Sequence, residues 1–228
     1  MIFRGRISFT TIDFPNHLAC VFFCGNCNMR CRFCHNPHLV FDPESQPPIT
    51  EDEVLDFMKR RRGRLEGIVL SGGEPTVHND LPKFIERVKN AGFDVKLDTN
   101  GSRPHLVFEL IKARMIDAIG LDYKHLIDKY PEATCVQLFQ DSVATMLSLL
   151  EHIDAPVDVR TTVHKAIHSP DDLRAMREEL DRYNVLEWTL QQFNKVEVID
   201  DSLNEIETYS DLELAEIATS LHDTMVRG

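Results

Sequence analysis

Residues 18–37 read Leu18-Ala19-Cys20-Val21-Phe22-Phe23-Cys24-Gly25-Asn26-Cys27-Asn28-Met29-Arg30-Cys31-Arg32-Phe33-Cys34-His35-Asn36-Pro37. Leu18–Phe23 is a nearly unbroken apolar run rich in Val and Phe, the pattern of a parallel strand covered on both faces. Five of the six cysteines lie between positions 20 and 34, and Cys135 stands alone. A disulfide framework would spread its cysteines along a small secreted chain, so this clustering points to metal. Cys27, Cys31 and Cys34 follow a C-x3-C-x2-C spacing. A loop this short can wrap three thiolates around one [4Fe–4S] cube and leave one iron open to a small molecule. A structural zinc site is the alternative; it needs a fourth ligand, which Cys24, His35 or His38 could supply. Cys20 reads as a buried strand residue, Cys24 as a spectator thiol or a redox neighbour, and Cys135 as structural or incidental.

Working outward, five more strand-like runs follow: Gly67–Ser71, Asp94–Asp98, Ala118–Asp122, Val157–Val163 and Leu186–Phe193. Helical patterns sit between them. Thr50 and Glu53 make a capping box ahead of the stripe Val54, Leu55, Met58. Leu81, Phe84, Ile85 and Val88 form a second stripe that Gly92 terminates. Further helices are expected over Pro104–Met115, from near Asp141, and from Ser169 as N-cap with Pro170 and Asp172 in the first turn. A last helix is expected near Asp211–Val226. The alternation predicts an α/β fold with a parallel sheet and right-handed crossovers. The chain is short for an eight-unit barrel, so a partial (β/α)6 TIM-type barrel fits. An open doubly wound sheet competes with it. Residues 36–49, with four prolines, read as a long functional loop.

The 228 residues suffice for one large domain. Hydrophobic residues at 43% and charged residues at 27% place the chain among globular proteins. A net charge of −12 without a strongly basic block argues against nucleic acid as the main partner. The N-terminus lacks a signal-peptide pattern, and no stretch approaches the roughly 18 apolar residues of a membrane span. The expected location is the cytoplasm, where thiols stay reduced.

Polar residues recur at strand ends, as a barrel-mouth site requires, although loops also begin there. Ser71-Gly72-Gly73-Glu74-Pro75 follows the second run, and two glycines let backbone approach a ligand. The later runs carry Asp98-Thr99-Asn100-Gly101, Asp122-Tyr123-Lys124, Arg160-Thr161-Thr162 and Gln191-Gln192-Phe193-Asn194.

The cysteine spacing resembles the signature of the radical S-adenosylmethionine (SAM) superfamily, and Gly72-Gly73-Glu74 resembles its GGE motif. Asp13-Phe14-Pro15 and Cys34-His35-Asn36-Pro37, with the strand-end motifs, extend the resemblance to the glycyl-radical-enzyme activating enzymes over about residues 1–200. Within that group the chain resembles the activating protein of anaerobic ribonucleoside-triphosphate reductase. Gln191-Gln192-Phe193 agrees with that, and departs from the formate-lyase activators, which carry a His there. The resemblance implies a single radical SAM domain over 1–228, with a core of about 15–200 and a C-terminal helix of about 209–226. It implies Cys27, Cys31 and Cys34 as cluster ligands and SAM on the open iron. Phe33 and His35 would border the adenine, and Gly72, Gly73 and Glu74 would meet the methionine amino group. Asp98 and Lys124 would contact the methionine end or ribose, and Arg160 would lie near the SAM carboxylate or ribose. Asp98, Thr99 and Asp122 resemble a monovalent-cation site.

The implied activity is reductive cleavage of SAM to a 5′-deoxyadenosyl radical, which abstracts a glycine hydrogen on a partner enzyme. Flavodoxin or ferredoxin would supply the electron. The alternatives are a radical SAM enzyme acting on a small molecule, peptide or nucleoside, and a zinc-stabilised binding module. Lys59-Arg60-Arg61-Arg62-Gly63-Arg64 reads either as a dock for an acidic partner or as a solvated helix end.

Overall fold

The computed structural model describes residues 1–227. The strands are β1 (Ile2–Thr10), β2 (Ala19–Cys24), β3 (Ile49–Thr50), β4 (Gly67–Gly72), β5 (Asp94–Thr99), β6 (Ala118–Asp122), β7 (Val157–Val163), β8 (Trp188–Gln192) and β9 (Thr224–Arg227). The helices are α1 (Pro37–Phe41), α2 (Glu51–Lys59), α3 (Leu81–Asn90), α4 (Pro104–Lys112), α5 (Tyr130–Thr134), α6 (Gln140–Leu150), α7 (Pro170–Arg182) and α8 (Asp211–Ser220).

The strands form one sheet in the order β3-β1-β2-β4-β5-β6-β7-β8-β9. From β2 to β9 every pairing is parallel. The six expected strands are β2 and β4–β8. They follow one another across the sheet without the reversal of order that an open doubly wound sheet would show. Helices α2–α8 all contribute to one core cluster against the sheet, as crossovers of one hand in one direction require. The other face curves inward, which is the partial TIM-type barrel.

Each face has its own core. The larger cluster lies between sheet and helices, with Phe22, Ile68, Leu70, Leu97, Ile119, Leu121 and Leu190 meeting Met58, Phe84, Val107, Met146 and Leu180. A small inner cluster joins Phe14, Ala19, Val21, Val69 and Ala118. Phe14 of the Asp13-Phe14-Pro15 motif is buried there, and its ring occupies space that a side chain at Gly67 would need, 2.8 Å from that Cβ position.

Local signals act as expected. Both capping boxes form, Thr50 with Glu53 and Ser169 with Asp172. Gly92, at φ +79°, ends α3: its N–H donates to Lys89 and the Phe93 N–H to Val88, a Schellman pattern. Three expectations change. The 36–49 loop contains α1 and a short 3₁₀ turn at Pro43–Ser45. An N-terminal strand, β1, pairs antiparallel with β2 and extends the sheet by one strand and the two-residue β3. The C-terminal helix expected over about 209–226 stops at Ser220; the chain turns at Asp223 (φ +49°), and Thr224–Arg227 adds to β8 as a parallel strand. The open edge of β8 supplies hydrogen-bond partners, and β-branched Thr224 and Val226 suit a strand better than a helix.

Candidate active site

The parallel strands end together at one rim, and a cavity of about 390 Å³ opens there. That volume suits a small-molecule site. Every site residue expected from the sequence lines it except Glu74 and Thr99.

Those two exceptions face each other. The buried Glu74 carboxylate accepts from Thr76 N–H (3.1 Å), Thr76 Oγ1 (2.6 Å), Thr99 Oγ1 (2.9 Å) and Asn100 N–H (2.7 Å). Burial pushes its pKa up and these donors pull it back. Through its side chain Glu74 therefore ties the end of β4 to the end of β5. Thr99 is the β5 partner in that bond.

Gly72 and Gly73 line the cavity, but the structure requires them for another reason. A Cβ on Gly72 (φ +114°) would sit 2.5 Å from the Cys24 backbone, and one on Gly73 would sit 2.0 Å from the Asn26 carbonyl oxygen. Gly73 N–H donates to Cys24 (2.9 Å) and Glu74 N–H to Asn26 (2.9 Å). The glycines let the β4 end zip onto the cysteine loop.

That loop is held from several sides. Arg30 and Arg32 N–H donate to Thr134 and Ala133 of α5, both at 3.0 Å. Arg32 pairs with Asp200 at 2.8 Å, and Cys34 N–H donates to the Cys31 carbonyl at 3.0 Å. All six cysteines are free thiols. Cys20 and Cys24 are buried, and Cys135 is exposed. Burial pushes the Cys31 thiol up to about 12, with Lys124 working the other way. Burial also raises Cys27 and Cys34. Such thiols become thiolates when a metal replaces the lost hydration.

Among the described residues, no three His, Cys, Asp or Glu side chains converge tightly enough to hold one ion. Cys27, Cys31 and Cys34 instead share the wall of one cavity, which fits a cluster of several irons better than a single zinc. Met29 N–H donates to Cys27 Sγ at 3.4 Å. His35 Nε2 is buried without a protein partner, as a ring nitrogen reserved for a ligand would be.

The opposite wall is charged. Arg160 lies between two carboxylates, Nη2 3.0 Å from Asp98 and Nε 2.7 Å from Asp122. Lys96 Nζ reaches Asp98 at 2.6 Å and Lys124 Nζ reaches Asp122 at 3.3 Å. Burial opposes charge on Asp98, but Arg160 and Lys96 outweigh it and hold the carboxyl below its usual range. Asp122 is held well below that range against burial, by Lys124 and Arg160. Burial likewise opposes charge on Lys124, yet Asp122 keeps it protonated. At the cation site expected from Asp98, Thr99 and Asp122, both carboxylates are paired with side-chain cations.

Sequence reasoning missed an amide chain behind the cluster loop. Asn100 Nδ2 donates to Asn28 Oδ1 (2.9 Å), Asn28 Nδ2 to Ser102 Oγ (2.8 Å), and Ser102 N–H to Asn100 Oδ1 (3.0 Å). Asn28 stands between two cysteines in the loop, which was the available signal. It also missed three buried histidines. His168 Nε2 donates to the Lys124 carbonyl (2.8 Å), His125 Nε2 to Ile167 (3.1 Å) and His164 Nε2 to Leu203 (3.1 Å).

The radical SAM superfamily model matches residues 21–179, and the chain belongs to that superfamily and is an oxidoreductase of its class. The zinc-stabilised binding module falls with that membership. A Methanocaldococcus jannaschii protein named as a glycyl-radical enzyme activating enzyme is 31% identical over 93% of this chain and 88% of its own length. A Thermococcus kodakarensis protein named as a GTP 3',8-cyclase is 27% identical over 62% of this chain and 46% of its own. Among solved structures, Streptococcus suis SuiB bound to S-adenosylmethionine superposes with a TM-score of 0.70 at 14% identity, over 91% of this chain and 49% of that one. That likeness is one of fold, and the chain spans about half of SuiB.

Proposed function

We propose that the chain is a glycyl-radical-enzyme activating enzyme. In this reading Cys27, Cys31 and Cys34 hold a [4Fe–4S] cluster, SAM binds in the adjoining cavity, and a glycine of a partner protein is the substrate. The observation that carries the reading is the similarity to the Methanocaldococcus relative, which runs nearly end to end in both chains. When bound and reduced, the cluster supplies the electron that cleaves SAM.

The chain's own residues hold and shield the reactants. Phe33 offers an apolar wall, with Lys124 Nζ 5.8 Å from its ring. His35 offers its unpartnered Nε2 to the nucleoside. The paired Asp98, Asp122, Lys124 and Arg160 present fixed charges to the polar end of SAM. The Phe14, Val21 and Val69 cluster packs the inner face of the sheet against water.

The proposed partner is an anaerobic ribonucleotide reductase. Gln191 lines the cavity, and Phe193 packs 5.5 Å from the His35 ring, so the Gln191-Gln192-Phe193 segment borders the site. Flavodoxin or ferredoxin is the proposed electron donor, in the reducing cytoplasm that free thiols need. No helix among the described residues is long and apolar enough to cross a membrane.

The test is anaerobic incubation of cluster-loaded protein with reductant, SAM and such a reductase. A glycyl radical doublet in the reductase by electron paramagnetic resonance, matched by 5′-deoxyadenosine, is expected. The second reading, action on a nucleotide, draws on the cyclase-named relatives. It would be favoured if 5′-deoxyadenosine rose with nucleoside triphosphates alone and the reductase stayed silent.

A further inference from the structure

We propose that the Arg160 guanidinium is a built-in cation, taking the place between Asp98 and Asp122 that a monovalent metal ion would need. Hard cations are bound through several oxygen donors whose charge is not already balanced, and each oxygen of this pair of carboxylates already faces a side-chain cation. Asp98 has Lys96 on Oδ1 (2.6 Å) and Arg160 on Oδ2 (3.0 Å). Asp122 has Arg160 on Oδ1 (2.7 Å) and Lys124 on Oδ2 (3.3 Å). The Thr99 hydroxyl does not line the cavity; it donates to Glu74 and accepts from Gly101 N–H at 3.2 Å. Asp158, which lines a separate pocket with Lys96 on the far side of Arg160, lies 3.4 Å from Arg227 and 4.0 Å from Arg160. Four side-chain cations thus already face three carboxylates, and a further positive ion would be repelled.

The backbone is shaped for this arrangement. A Cβ at Gly120 would lie 2.3 Å from Asp98 Oδ1, 2.9 Å from Lys96 Nζ and 3.1 Å from Arg160 Nη1. Any larger residue at the middle of β6 would push the guanidinium off its carboxylates. Arg160 is also poorly placed to offer a free fork to a ligand carboxylate, because Nε and Nη2 are both engaged. It is a positioning residue. It holds Asp122 and, through it, Lys124 at the cavity wall, a task that an ion would do only while bound.

The inference rests on the cavity being the SAM site, so the test has one readout that needs no SAM. Cluster-loaded protein is prepared in tetramethylammonium, sodium and potassium chloride. SAM cleavage without partner and the thermal midpoint are measured in each. Wild type should give the same rate and midpoint in all three. Arg160→Ala should lose at least about tenfold in rate in tetramethylammonium, since two buried carboxylates lose a partner, and potassium should restore part of the rate and raise the midpoint. A wild-type rate or midpoint that falls without sodium and potassium and returns with either overturns the proposal. So does an Arg160→Ala protein indifferent to the salt. If Arg160→Ala fails to fold, the wild-type comparison still decides. Absence of cleavage under all conditions, with an unchanged wild-type midpoint, counts against the SAM reading instead.

Discussion

Lowering the pH from 7 to 5 should cost this fold about 2 kcal/mol through His168 alone. The ring is fully buried; its Nε2 donates to the Lys124 carbonyl at 2.8 Å, and its Nδ1 accepts from His164 N–H at 3.4 Å. Burial holds its pKa down to about 3, against an ordinary value of 6.5. The folded ring stays neutral at pH 5, whereas the unfolded imidazole takes up a proton below 6.5. The unfolded chain then binds more protons, so stability falls as the pH drops through 6.5 and levels off near 3. Each pH unit in that window is worth about 1.4 kcal/mol. The interval down to pH 5 gives about 2 kcal/mol, or roughly 4–8 °C in midpoint for a chain of this size. His125 and His164, also kept neutral by burial, act in the same direction.

The assay is anaerobic urea unfolding at both pH values, followed by the fluorescence of Trp188, the single tryptophan, which is buried. His168→Gln, which does not titrate, should lose about 2 kcal/mol less than wild type between the two conditions. Acid effects on a cluster are common to both proteins and cancel in that difference. Equal losses in the two would refute the assignment of the buried neutral ring.

Replacing Cys27, Cys31 or Cys34 by Ala should abolish iron binding and SAM cleavage, while Cys20→Ala and Cys135→Ala keep both; iron analysis and 5′-deoxyadenosine release check this. Gly73→Ala puts a methyl 2.0 Å from the Asn26 carbonyl oxygen. Reconstituted iron should fall while far-ultraviolet circular dichroism keeps its α/β shape, and full iron loading would mean the loop can yield. Glu74→Gln sets an amide N–H against the Asn100 N–H and should cost about 2–3 kcal/mol, read as a lower thermal midpoint with no change in the Michaelis constant for SAM. A raised constant would return Glu74 to the ligand.

Much of the architecture could be read in advance because its causes are local. Six strand runs, two capping boxes and the Gly92 stop each depend on residues within a few positions of one another. The cysteine spacing is equally local, and the three thiols do share one cavity wall. Elements governed by distant partners were harder. The β9 strand exists because β8 offers an edge, and Thr224 and Val226 by themselves are too short a strand signal to announce it.

The sequence by itself determined the winding, strand and helix in turn, and the short cysteine loop that could embrace a cluster, since both follow from chain periodicity and loop reach. The tertiary structure alone decided what the polar strand ends do. Register across β5, β6 and β7 brings Asp98, Asp122 and Arg160 face to face. The junction of β4 and β5 draws Glu74 and Thr99 away from the cavity. Which groups meet across a sheet depends on the pairing of segments far apart in the chain, and a charge has a partner, and hence a role, only once that pairing exists.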